Sequence, residues 1–409
     1  MRNMRKTVLS ESMKELEVDN RFIRDRKIPL GTIKPPIYYY DAESNTYDVP
    51  EKDIVYIKVA SGQQLFIITV GQPGCGKSVL SKRILYYLYK LKYDCAVFDY
   101  KGFEWLYGAL FGCPINLFPF EKEDTLPIVS LMPAHIRRQF RDTVDKYYKT
   151  FSFKINDIGD MQELLSLGFT GSASIDLMNA IRKNDFEDMQ QLIDFFKRRE
   201  KLHGAVRESI IKRLIQYQNV NFFDPEAKNT SLQEYWDKKE IPNFSMFSTD
   251  RELLAFIFGK IIDDQYKTHR SNKKFIMIDD CHNFAANDMS PAEYMSTRAI
   301  IHDIYALGRF KNWNILMSTQ QPNFLHNSVI NAATHVIFSR IGNIGDALQQ
   351  KINDPYIVKE IKSLKYDKLR YMRQKLLLHD DGITYFKFYE WGPIHGHTLS
   401  RRHSKYKIF

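Results

Sequence analysis

Apolar residues in this chain gather into short continuous runs. Leu65-Phe66-Ile67-Ile68-Thr69-Val70, Cys95-Ala96-Val97-Phe98-Asp99, Lys274-Phe275-Ile276-Met277-Ile278-Asp279-Asp280, Asn314-Ile315-Leu316-Met317-Ser318-Thr319 and His335-Val336-Ile337-Phe338-Ser339 are the clearest. Runs this short, bounded by turn residues, predict buried strands. Ile54 to Val59 predicts a further strand, joined to the run at Leu65 through a turn at Ser61-Gly62-Gln63, and Ile383 to Trp391 predicts an edge strand. Between the runs the period changes. Leu80, Ile84, Leu88 and Leu91 recur at helical spacing and predict a helix ending near Lys92. Thr249 with Glu252 suits the start of a helix reaching about Lys267, and another is expected from about Ala292 to Leu307. Strand, helix and strand in that order form a right-handed βαβ unit, so the sheet is expected to be mostly parallel.

Residues from about 130 to 225 read differently. Met161 to Leu165, Ile175 to Ile181, Met189 to Phe196 and Ala205 to Tyr217 all follow amphipathic helical spacing, and Asn184 with Glu187 forms a capping pair. The expected organisation has five parts. Residues 1–50 are an arm or cap, read as a solvated tail packed loosely on the core; 51–130 are the first part of an α/β core. An all-helical insertion covers 131–240, the core resumes over 241–345, and 346–409 hold the edge strand and a basic tail ending near Lys407.

Composition narrows the class. In 409 residues, 44% hydrophobic and 14% aromatic content supplies a sizeable core. The 59 basic against 49 acidic residues leave a net charge of +10, which favours a polyanionic partner. Cys75, Cys95, Cys113 and Cys281 are far apart, so neither a disulfide framework nor a zinc site is expected. No run reaches the ~18–20 apolar residues of a membrane span, so no membrane insertion and a cytoplasmic location are expected.

The candidate chemistry begins at Gly71-Gln72-Pro73-Gly74-Cys75-Gly76-Lys77-Ser78, between a buried strand and a helix start. That context fits a phosphate-binding P-loop. Glycines let successive backbone N–H groups converge on phosphate, and the helix N-terminus adds positive partial charge. Lys77 suits the β- and γ-phosphates of ATP, and the Ser78 hydroxyl suits Mg²⁺. Asp279 and Asp280 close an apolar strand downstream. In a P-loop protein the first acid would serve the Mg²⁺ shell and the second would polarise a water; the alternative for such a pair is a surface turn. Gln320, in Ser318-Thr319-Gln320-Gln321-Pro322, ends the next run, where a polar side chain can orient water or satisfy a turn. Arg309 and Arg340 each suit an arginine finger, and each is equally an ordinary cation at the end of an element.

Five stretches together resemble the HerA/FtsK superfamily of ring-forming DNA-pumping ATPases. They are Gly71 to Ser78, Phe98 to Glu104, Arg207 to Leu214, Phe275 to Phe284, and Gly308-Arg309 through Thr319-Gln320-Gln321-Pro322. Phe98-Asp99-Tyr100-Lys101-Gly102-Phe103-Glu104 is similar to the family's Asp-Pro-Lys-Gly or Asp-x-x-Gly-Glu signature. Asp279-Asp280-Cys281-His282-Asn283-Phe284 is similar to its Asp-Glu-Ala-His-x-Phe, and Thr319-Gln320-Gln321-Pro322 to its Thr-Gln-x-Pro.

The resemblance implies an α/β P-loop NTPase fold of RecA/FtsK type, with a central mostly parallel sheet and the helical insertion. It implies ATP and Mg²⁺ as cofactors, with Ser78 and Asp279 on the metal. Asp280 stands where the family has a catalytic Glu, one methylene longer. Gln320 matches a γ-phosphate sensor, and Arg309 the position from which related motors offer an arginine to the neighbouring subunit. The implied assembly is a homo-oligomeric ring, a hexamer, moving double-stranded DNA, with a portal, capsid or nuclease as a further partner. With the family's accessory domains unrecognised in the sequence, viral genome packaging in the host cytoplasm is the leading expectation. A HerA-like DNA-processing or plasmid-transfer ATPase is the alternative, and a nucleotide-dependent switch or scaffold without sustained pumping is a third reading.

Overall fold

The computed structural model describes residues 22–34, 40–41, 46–47, 50–60, 62–102, 105, 126–133, 136, 148–151, 186, 189–199, 204–216, 230–249, 251–266, 272–287, 299–306, 308, 312–367, 372–379 and 384–390. Its strands are β1 Lys27–Thr32, β2 Tyr40–Asp41, β3 Thr46–Tyr47, β4 Ile54–Lys58, β5 Phe66–Val70, β6 Asp94–Asp99, β7 Ile128–Pro133 and β8 Lys149–Phe151. The second half of the chain adds β9 Ile241–Ser245, β10 Lys274–Asp279, β11 Trp313–Thr319, β12 His335–Phe338, β13 Tyr366–Asp367, β14 Met372–His379 and β15 Tyr385–Glu390. The helices are α1 Lys77–Lys90, α2 Met189–Lys197, α3 Gly204–Gln216, α4 Leu232–Asp237, α5 Arg251–Tyr266, α6 Asn327–Ala332, α7 Asp346–Ile352 and α8 Pro355–Ser363. A π-helical segment spans Ala299–Ala306.

β2 and β3 form a separate hairpin; the other strands belong to one 13-stranded sheet. Its path runs β4-β1-β15-β14-β12-β5-β11-β10-β6-β9-β7-β8, with β13 added on β14. From β12 to β8 every pairing is parallel, and β14, β15, β1 and β4 extend the sheet antiparallel. The continuous apolar runs have a direct cause. β5, β6, β10 and β11 are buried at every position because both faces of the parallel part are covered. Phe66, Ile68 and Val70 face a core shared with Leu254, Phe258 and Ile262 of α5. Ile67 faces the opposite core with Leu80, Ile84 and Leu88 of α1, the residues whose spacing predicted that helix.

Three expectations about organisation need correcting. The segment 131–240 is not all-helical among the described residues. Leu131, Met132 and Pro133 of β7 pair with β8, and β7 in turn pairs with β9, so this part widens the sheet; α2 and α3 do follow the expected helical stretches. The arm at 1–50 is not wholly a loose tail, because β1 sits inside the sheet between β4 and β15 with Ile28 and Leu30 fully buried. Pro29 and Gly31 hid the strand, since both residues are poor strand formers and the β1–β4 register shifts between them. A Cβ on Gly31 would lie 1.9 Å from the Tyr389 carbonyl oxygen, so the close approach of β15 demands glycine there. Finally, β15 is not an edge strand: β14 flanks it on one side and β1 on the other.

The sheet order creates the crevice. The chain leaves β5 through α1 and reaches β6 on the far side of β11 and β10. It then returns through β10 and β11, and crosses β5 to β12 on the other flank. The connections leaving the adjacent strands β5 and β11 run to opposite flanks, and open α/β sheets bind ligands outside the carboxyl ends of strands at such a switch point.

Candidate functional site

The glycine-rich loop leaves the end of β5 and is tied to both neighbouring strands. Gly71 N–H donates to the Thr319 carbonyl oxygen of β11 (3.3 Å), and Gln72 N–H to the Arg340 carbonyl oxygen beyond β12 (3.1 Å). Gly74 and Gly76 have φ of +78° and +93°, a region other residues rarely adopt. Gly76 is the N-cap of α1, and among the described residues no side chain caps that helix. The first N–H groups of an α-helix have no intrahelical acceptor, so this uncapped end offers donors and positive partial charge to an anion. Gln72, Pro73 and Gly74 are exposed at the tip, whereas Gly71, Cys75, Gly76 and Lys77 are buried.

Lys77 turns back on its own loop. Its Nζ donates to the carbonyl oxygens of Gly71 (2.7 Å) and Gln72 (3.2 Å). Burial lowers its pKa, and the ammonium of Lys375 acts in the same direction; Cys75, Asp279 and Asp280 oppose them. The lysine therefore rests on weak neutral acceptors in a desolvated place, where a polyphosphate would be a much better counter-charge.

At the end of β10 the chain brings Asp279 and Asp280 together, both buried. Asp279 Oδ1 accepts from the Asp280 N–H at 3.1 Å. Asp280 has φ +48°, a left-handed turn that Asp tolerates better than most residues, and this swings its side chain out of the strand alternation. Two neighbouring strand ends then hold its carboxylate. Gln320, just past β11, donates through Nε2 to Oδ1 at 3.3 Å. Lys101, just past β6, places Nζ 2.7 Å from Oδ2. The two acids are thus buried at the strand end rather than exposed on the surface.

The supports are built into the same strand ends. Asp99 is fully buried and accepts from the N–H groups of Gly102 (3.0 Å) and Trp105 (3.4 Å), which shapes the turn carrying Lys101. Thr319 Oγ1 accepts from the Gln321 N–H (3.0 Å) and lies 3.2 Å from His282 Nδ1, linking the β10 and β11 ends. Burial lowers the His282 pKa against the pull of Asp280, so the ring favours its neutral form. Cys281 is buried, and its thiol pKa is raised well above the ordinary value by burial and by the two acids.

The structure therefore joins Gly71–Ser78, Asp279, Asp280 and Gln320 around adjoining strand ends. Arg309 lies outside the described residues. Arg340 is exposed, and its carbonyl oxygen contacts the loop of its own chain. Sequence reading assigned no function to Lys101, although it lies in a quoted motif, and it missed Arg373, Lys375 and Glu390 of β14 and β15, which pack against the loop. The one signal for Lys375 was a cation heading the apolar run Leu376-Leu377-Leu378.

Comparison with known proteins finds one family match and several similar structures. Residues 238–380 match the family described as Zonular occludens toxin (Zot). The structure of VirB4 of Thermoanaerobacter pseudethanolicus is similar over 90% of this chain and 97% of that one, at 9% identity and a TM-score of 0.52. The genome packaging NTPase B204 from Sulfolobus turreted icosahedral virus 2, in complex with ATP-gammaS, aligns over 80% of this chain and 98% of that one, at 11% identity and a TM-score of 0.33. The bacterial conjugative coupling protein TrwB aligns over 66% of this chain and 68% of that one, at 10% identity and a TM-score of 0.42. No curated protein sequence matches the chain. The fold is that of the P-loop NTPase structures it matches, an α/β fold with a mostly parallel mixed sheet.

Proposed function

We propose that this chain is a motor ATPase of the FtsK/HerA/VirB4 kind that couples ATP hydrolysis to movement of double-stranded DNA, in DNA processing or plasmid transfer. The observation that carries the reading is the carboxylate of Asp280, held by Gln320 and Lys101 at strand ends beside a P-loop whose Lys77 is buried. The VirB4 likeness, extending over 90% of the chain, supports this branch. Genome packaging, which the sequence pattern put first, has no observation of that kind behind it.

The residues fit the cofactors. An uncapped helix start, left-handed glycines and a buried ammonium suit a triphosphate. The Ser78 hydroxyl and the Asp279 carboxylate are hard oxygen donors of the type Mg²⁺ takes. Lys77 would exchange its contacts with Gly71 and Gln72 for phosphate oxygens, and Ser78 with Asp279 would hold the metal. A metal held by these two residues would supply positive charge against the charge that builds up in phosphoryl transfer. Asp280 would accept the proton of the attacking water, and Gln320, already on Oδ1, would orient that water. Arg309 would reach the site of the next subunit in a ring. The net charge of +10 supports phosphate contacts with DNA, which weaken steeply with salt.

Phosphate release measured with and without double-stranded DNA tests the proposal. Turnover should rise with DNA, fall as salt is raised, and vanish in Lys77→Ala. A near-zero rate unaffected by DNA would favour the switch or scaffold reading and end this one.

A further inference from the structure

The phosphate loop has a second lysine beneath it, 300 residues away in sequence. Lys375 of β14 is fully buried, and its Nζ donates to the Cys75 carbonyl oxygen at 2.9 Å and to Ser339 Oγ at 2.7 Å. The same ammonium lies 3.6 Å from Glu390 Oε2 of β15, and Arg373 Nη1 approaches that oxygen at 3.5 Å. Glu390 is buried, and among the described residues neither of its carboxylate oxygens finds a hydrogen-bond donor. The group presses directly on the loop: a Cβ added at Gly76 would lie 2.5 Å from Glu390 Oε2 and 2.6 Å from Arg373 Nη1.

Burying an ammonium and a carboxylate costs several kcal/mol per ion before their attraction offsets it. An apolar pair would fill this space between β14, β15 and α1 more cheaply, so the arrangement calls for a task that needs charge. The contact with Cys75 supplies one. The Cys75–Gly76 peptide turns about ψ of Cys75 and φ of Gly76, and the latter is +93°. Glycine has no Cβ barrier to rotation, so on its Gly76 side this peptide turns more easily than most unless something grips it. In a planar trans peptide the C=O and the next N–H point in opposite directions. Gripping the Cys75 oxygen from the β14 side aims the Gly76 N–H away from β14.

We infer that Lys375 is a positioning residue for nucleotide binding: it fixes the Cys75–Gly76 peptide so that the Gly76 N–H is presented to a phosphate, while Glu390 keeps the ammonium in place. This rests on the nucleotide reading above and adds to it a cis contribution from the antiparallel end of the sheet. The site is then completed within one chain on this side, independently of any neighbouring subunit.

The test uses the full chain labelled with ¹⁵N-glycine and titrated with ATPγS. In the wild type the Gly76 amide resonance should move downfield on binding. Lys375→Met alone would leave Glu390 buried without its partner, so it is paired with Glu390→Gln to remove both charges. This double variant should unfold in urea with wild-type cooperativity, yet bind ATPγS about 10–100-fold more weakly, the equivalent of one charge-assisted hydrogen bond. Its Gly76 amide should lose the downfield shift while other loop glycines still respond. Lys375→Arg keeps a donor and should recover most of the affinity, and Glu390→Gln alone, which leaves the ammonium its hydrogen bonds but removes its counter-charge, should weaken binding by less than the double variant. Wild-type affinity in the double variant, or an arginine variant as weak as the methionine one, overturns the inference. A wild-type chain that does not bind ATPγS overturns the nucleotide reading itself, and this inference with it.

Discussion

Asp280→Asn separates the hydrolytic step from nucleotide binding more cleanly than any other change at this site. The residue sits at φ +48°, and Asn accepts the left-handed region as readily as Asp does, so the turn after β10 should survive. Alanine would not share that tolerance and would confound chemistry with backbone strain. An amide still gives Gln320 Nε2 an oxygen to donate to, replacing its 3.3 Å bond to Oδ1. The substitution does break the ion pair with Lys101 at 2.7 Å, whose lysine side chain is 42% exposed and can turn to water. A pair with one half-exposed partner contributes at most about 1 kcal/mol, so folding should be nearly unchanged. What disappears is the proposed proton acceptor. General-base catalysis by a positioned side chain contributes roughly 10²–10⁴-fold, or about 3–5 kcal/mol of barrier. The expected result is a kcat lower by that factor with KM for ATP within about threefold, since Lys77 and Ser78 are untouched. Steady-state phosphate release, with fluorescent-nucleotide anisotropy for binding and a urea curve for stability, measures all three quantities. Turnover within tenfold of wild type in a folded protein would refute the assignment. So would lost binding with unchanged kcat, which would make Asp280 a nucleotide or metal ligand instead.

Lys101→Ala tests the ion pair from the other side. Releasing Oδ2 while Gln320 keeps Oδ1 should raise DNA-free turnover by up to about fivefold, the limit set by a half-exposed pair; a tenfold fall would make Lys101 a required cation instead. His335, buried in β12 beside the phosphate-loop strand, has its pKa lowered to about 4 by burial and by His379. An unfolded histidine binds its proton below about 6.5, so between pH 6.5 and 4 the unfolded state takes up more protons and stability falls as the pH falls. By pH 5 this group alone should cost about 2 kcal/mol relative to pH 7.5, read as a drop in the urea midpoint. In His335→Leu that part of the drop should be absent, and an identical pH dependence in both proteins would refute the coupling.

How much of this was legible depended on whether the signal was local. β5, β10, β11 and β12 could be bounded to within a residue because strands covered on both faces carry unbroken apolar runs. β9 was illegible for the opposite reason. Pro242 and Asn243 look like a turn, yet Asn243 is fully buried and donates through Nδ2 to Ser130 Oγ (3.3 Å) and Ser245 Oγ (3.2 Å). A buried amide is tolerated when neighbouring groups take its hydrogen bonds, and no sequence window shows that β7 will supply Ser130. The meeting of Asp280 and Gln320 was legible because acids and glutamine mark strand ends in sequence. The Lys101 contact was half legible, since its motif could be recognised but not what its side chain would meet.

The contribution of β14 and β15 could not be read at all, and its physical logic runs through the whole sheet. Lys375 reaches Cys75 only because β14 pairs with β12, which itself lies beside β5. Glu390 faces Lys375 only because β15 pairs with β14, Gln374 lying opposite Tyr389. β15 in turn is held on its outer side by β1, where Gly31 is in register with Glu390. A strand near the start of the chain thus braces a strand near its end, which carries the carboxylate beneath the phosphate loop. Each link is a sheet pairing between elements set by the fold rather than by local sequence, and such pairings transmit position stiffly because a slip of one residue would turn every side chain to the wrong face. The antiparallel extension is therefore part of the site's geometry: loosening β1 should be felt at Gly76, although β15, β14 and β12 stand between β1 and the strand that carries the loop.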